Sequence, residues 1–154
     1  MVRALYLLLA SSFALSPPLQ AGASGSRVHY VGGTVAELPS KSEGTIETTD
    51  EEIFMFEAHG VRVRVPYKDI NVLEYGQRVT RRIAEAILIS PLMLLSKRRA
   101  HFLTVGYADA QGRQQAMVFQ VGSKDVRAIL VGLEARTGRR VEFQDEEARK
   151  GGKG

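Results

Sequence analysis

The sequence predicts a mainly β, α+β domain. Seven short antiparallel strands form a small barrel or sandwich, a C-terminal amphipathic helix caps it, and an apolar helical insert separates strands five and six. Three observations predict this. Between residues 27 and 121 apolar and polar residues alternate in short runs rich in β-branched and aromatic side chains, the period of a strand. At Val126, Ile129, Leu130 and Leu133 the spacing changes to i, i+3, i+4, i+7, one stripe of a helix. Between these regions RRIAEAILISPLMLLSKRRAH, 81–101, matches neither pattern.

The strands follow in order. RVHYVGGTV (27–35) is the first, with Gly32-Gly33 as a bend or bulge. LPSKSEG (38–44) is a loop and GTIETT (44–49) the second strand. Asp50-Glu51 turns the chain into EIFMFEA (52–58), apolar on both faces and so expected to be central. His59-Gly60 turns it again. VRVRV (61–65) alternates cleanly, with its valines inward and Arg62 and Arg64 outward, and Pro66 stops it or marks an edge. YKDINVLEYGQ (67–77), HFLTVGYAD (101–109) and RQQAMVFQV (113–121) complete the set. Ser123 is placed to cap the helix, Asp125 and Arg136 suit its dipole in the first and last turns, and Gly138 stops it. RRVEF (139–143) reads as a short extended piece, and 144–154 as a disordered polar tail.

The chain opens MVRALYLLLASSFALSPPLQAGAS. One arginine precedes an apolar stretch from Ala4 to Leu15, and Ala21-Gly22-Ala23 is an A-x-A site. This is the pattern of a signal peptide, residues 1–23, cleaved after Ala23; the alternative is an uncleaved anchor. The expected product is exported, to the periplasm or as a secreted protein. There is no cysteine, so neither a disulfide nor a thiolate zinc site supports the fold. Its 44% hydrophobic residues must do so.

Charge is concentrated. Arg78, Arg81, Arg82, Lys97, Arg98 and Arg99 face one acid, Glu85, between residues 78 and 101, a local +5. The rest of the exported chain has 14 basic and 16 acidic residues, or −2. A polyanion binder spreads its basic groups along a face. Nucleic acid is therefore disfavoured, although arginines beside Tyr75, Phe102 and Tyr107 would suit a stacking platform.

The order of strands and helix resembles the pleckstrin-homology-like and GRAM-like barrel superfamily, and more locally there are the motifs YVGGTV, VRVRVPYKDINVLEYG, HFLTVGYAD and LEARTGRRVEF. They are similar to those of small exported bacterial proteins without an assigned activity. The resemblance covers roughly 28–143, within a domain of 24–143 carrying an insert at 79–98. It implies a non-enzymatic binding module; such barrels bind phosphoinositides, other lipids, peptides or proteins. The usual phosphoinositide loop lies between the first two strands. Here it carries only Lys41 against Glu37 and Glu43, which argues against that ligand.

Ile83 to Leu95 is too short to span a bilayer as a helix, and Pro91 would kink it. Three readings remain open. The segment folds over the barrel wall. Or it lies on an anionic membrane, with Leu92, Met93 and Leu94 in the interface and Arg78, Arg81, Arg82, Lys97, Arg98 and Arg99 at the headgroups. Or it is buried in a protein partner or homo-oligomer. These nine residues form the expected working surface. No catalytic, cofactor or metal site is expected. His29, His59 and His101 lack ligand spacing, and Asp50-Glu51-Glu52 lacks the glycine of a calcium loop. Asp69 and Glu74 would fall on opposite strand faces, and Ser90 has no histidine nearby in sequence.

Overall fold

The computed structural model describes residues 25–77, 79, 100–144 and 146–153. The signal-peptide reading and nearly all of the insert lie outside these residues. Among the described residues eight strands form one sheet: β1 (Ser26–Gly33), β2 (Ser42–Glu47), β3 (Ile53–Ala58), β4 (Val61–Pro66), β5 (Ile70–Gly76), β6 (His101–Ala108), β7 (Gln114–Val121) and β8 (Glu142–Phe143). Their order is β4-β3-β2-β1-β7-β6-β5-β8. Seven antiparallel strands were the expectation. The eighth is the end of RRVEF, which pairs parallel to β5 with Tyr75 opposite Phe143. The chain returns to β5 through a helix, and a helical crossover permits a parallel pair.

The sheet is open, with β4 and β8 at its edges. It must nevertheless curl. The edge strand β4 passes directly to β5, next to the opposite edge, through a 3-10 turn at Tyr67–Asp69. Three residues span only about 10 Å when extended. The expected fifth strand therefore loses its first three residues to this turn, and Tyr67, 3% exposed, is drawn into the core.

Local chemistry places the strands. His59 and Gly60 have φ of 51° and 78°, the pair of positive angles that closes a two-residue hairpin. It sets Glu57 opposite Arg62, whose Nη2 lies 2.6 Å from the Glu57 Oε2. On β4, Arg62 and Arg64 are exposed and Val65 is buried. Charged residues and a terminal proline protect such an edge from further pairing. β3 lies next to that edge rather than centrally. Its Phe54, Phe56 and Ala58 are buried, Met55 is half-buried and Glu57 exposed. The apolar run misled because half-burial on the outer face tolerates methionine. On β1 the pairing with β7 slips between Tyr30 and Gly32, the bulge expected at the glycine pair.

Helix α1 (Val126–Thr137) buries Val126, Ile129, Leu130 and Leu133 against the concave side. Gly138, φ 67°, ends it and donates its N–H to the Glu134 carbonyl at 3.0 Å. The start differs from expectation. Asp125 is the N-cap residue without a side-chain cap bond, and Ser123 lies outside the helix. A backbone turn takes that role, since Gly122 O accepts from the N–H groups of Asp125 and Val126 at 3.2 and 3.1 Å.

The core centres on Phe119. Its ring is edge-on to Phe56 at 4.9 Å, with Tyr30 at 5.9 Å and Phe54 at 6.4 Å. The tail expected to be disordered contains a second helix, α2 (Glu146–Lys153). Ala148 is fully buried, and Gly152 lies so close to Phe143 and Leu130 that a Cβ there would meet them at 2.6 and 3.0 Å. Two small residues four apart share one helix face and allow close packing. In sequence the same glycines read as disorder.

Candidate interaction surface

The nine expected surface residues, Arg78, Arg81, Arg82, Leu92, Met93, Leu94, Lys97, Arg98 and Arg99, lie outside the described residues. Their roots do not. β5 and β6 are antiparallel neighbours, and Gly76 stands opposite Phe102. From that step the chain departs through Gln77 and Val79 and returns at Ala100. Val79 and Ala100 are both 8% exposed and belong to one buried cluster with Val31, Phe102, Ala116 and Val118.

This cluster is separate from the main core. Tyr30, Leu103, Met117 and Phe119 point to the concave side with α1. Their chain neighbours Val31, Phe102, Ala116 and Val118 therefore occupy the convex side of β1, β7 and β6. Thr104, opposite Val118 in the ladder, is 2% exposed and Val118 is 0% exposed. These residues escaped the sequence reading. The signal lay in AMVF, 116–119, apolar on four successive positions, and in FLTV, 102–105, apolar but for Thr104, where a one-sided strand would alternate.

The remaining candidates are dispersed. His29 is exposed with its Nδ1 3.7 Å from Glu43; His59 occupies the hairpin turn; His101 stacks on Tyr75 with centroids 5.4 Å apart and 10° between planes. Among the described residues no group of three His, Asp or Glu could hold a metal ion. Asp50 builds a turn. Its Oδ1 accepts from the N–H groups of Glu52 and Ile53, both at 2.8 Å, and those bonds hold its carboxyl below the usual range. Asp109 does the same for β6–β7. Burial works to raise it, but hydrogen bonds from Arg113, Gln115 and Gln111 prevail and lower it. Burial pushes the phenols of Tyr30 and Tyr67 up to about 12, so both stay protonated.

Tyr75, Phe102 and Tyr107 do not form a stacking platform. Tyr75 and Tyr107 belong to the concave side, and Phe102 is 4% exposed on the convex side. Lys41 is exposed in the β1–β2 connection with Glu37 and Glu43, so that loop concentrates no positive charge. Two open clefts have mixed chemistry. One of about 430 Å³ runs across the outer face of β2 and β3, past Glu43, Glu47, Glu57 and His59. The other, about 490 Å³, lies between Glu51, Tyr67, Lys68 and Arg136. No helix among the described residues is long and apolar enough to cross a membrane. No protein-family model matches the chain, and no curated protein matches it.

Proposed function

We propose that the protein is an exported, non-enzymatic interaction module that binds anionic surfaces, membranes above all, through the basic groups flanking the 83–95 segment. We read its curled sheet and packed helix as a pleckstrin-homology-like barrel. The observation that carries the proposal is the convergence of Val79 and Ala100 in one cluster. Arg78, Arg81 and Arg82 are each within three residues of Val79, and Lys97, Arg98 and Arg99 within three of Ala100. Three residues of chain reach at most about 11 Å. We read the two basic groups, far apart in sequence, as one patch on this ground.

Such a patch attracts anionic headgroups, each cation contributing about 1 kcal/mol near the surface and less at high salt. Flotation with zwitterionic and with anionic liposomes, at low and high salt, tests it. Salt-sensitive binding to anionic liposomes alone is expected, and the combined change of Arg81, Arg82, Arg98 and Arg99 to glutamate should abolish it without unfolding the domain. Unchanged flotation of that variant would overturn the proposal.

A further inference from the structure

We infer that the convex apolar face of β1, β7 and β6 is the seat of residues 80–99 of the same chain, so that the 83–95 segment is held by the domain rather than by lipid. Residues at the middle of that face are closed to water: Val118 is 0%, Thr104 2% and Phe102 4% exposed. A single sheet protects only one of its faces by its own packing partner. Here α1 and α2 are spent on the other side, because Val126, Ile129, Leu130, Leu133 and Ala148 all belong to the concave core and none to the convex cluster. The cover must come from chain outside these elements.

Two long stretches qualify, 1–24 and 80–99. The second begins and ends on the face itself, since Val79 and Ala100 are members of the cluster. Its centre, IAEAILISPLMLL, has only Glu85 and Ser90 as polar side chains. Twenty residues of chain reach any point above eight-residue strands, which are about 27 Å long. The first stretch joins at Gly25, six residues and roughly 20 Å along β1 from Val31. A monomer rarely leaves a continuous apolar face open, and the segment has no polar stripe that would let one side face water. Face and segment satisfy each other. The inference goes beyond surface binding and does not require it; if both hold, the cations alone meet the anionic surface and salt reverses the contact fully.

The test is methyl NMR on the full chain with labelled Ile, Leu, Val, Met and Ala. Cross-relaxation is expected from the Val31 and Val118 methyls and the Phe102 ring to methyls of Ile87, Leu88, Leu92 or Met93, unchanged on dilution. Contacts appearing only between differently labelled copies would make a second chain the occupant. Contacts to residues 4–15 would make it the N-terminal stretch. Either result, or no contact to 83–95, overturns the inference. Flotation of the same protein separates the two ideas. Intact contacts without flotation defeat surface binding alone, and flotation without the contacts defeats the seat alone.

Discussion

Gly76 on β5 stands directly opposite Phe102 on β6, and the chain between them both leaves and re-enters the fold at one place. An insertion with adjacent roots adds little loop-closure cost to the domain. The proposed patch would join the basic residues on either side of Val79 to those before Ala100. Charge reversal on one side should therefore weaken surface binding as much as reversal on the other. With four reversals the loss should be at least about 4 kcal/mol, on the order of 1,000-fold in affinity. Titration of Arg81→Glu/Arg82→Glu and of Arg98→Glu/Arg99→Glu with anionic vesicles checks the equivalence. A large difference between the pairs would contradict it.

Phe119 touches three aromatic rings and is fully buried. Phe119→Ala should cost about 3–5 kcal/mol through lost burial and the cavity left behind. Urea unfolding followed by circular dichroism should show a lower midpoint with an unchanged slope.

Asp50 and Asp109 have carboxyls held below their usual range by the turns they organise. A depressed folded value means that the stabilisation is complete above the unfolded value, about 3.9, and is lost as pH falls through the folded one. Asp50→Asn should lower the urea midpoint near neutral pH and flatten its acid dependence below about pH 4. A parallel shift of the whole pH curve would mean that the charge at Asp50 is not what the turn uses.

Ala148 is fully buried where α2 meets the body of the fold. Ala148→Asp would bury a charge and should cost about 2 kcal/mol or more. Ala148→Ser should cost much less. If the aspartate variant melts at the wild-type temperature, α2 does not contribute to the folded state.

Alternation and turn chemistry decided much of this protein before any folding. VRVRV read as a strand with its arginines outward, Gly138 as the end of a helix, and the glycine pair at 32–33 as a bend or bulge in β1. These are short-range effects of sterics and side-chain spacing, which a sequence displays directly. The basic fences around 83–95 were equally plain, and so was the absence of cysteine.

Tertiary structure decided what depends on distant partners. The edge position next to β3 follows from strand order, which an apolar run does not encode. The helix at 146–153 exists against Phe143 and Leu130, contacts that can outweigh the poor helix propensity of two glycines. The start of α1 is held by the carbonyl of Gly122 rather than by a side chain, and backbone acceptors are invisible in a sequence. The convex cluster, too, appears only on folding. Val31, Phe102 and Val118 come from three strands, and it is sheet pairing that places them around the two ends of the basic segment.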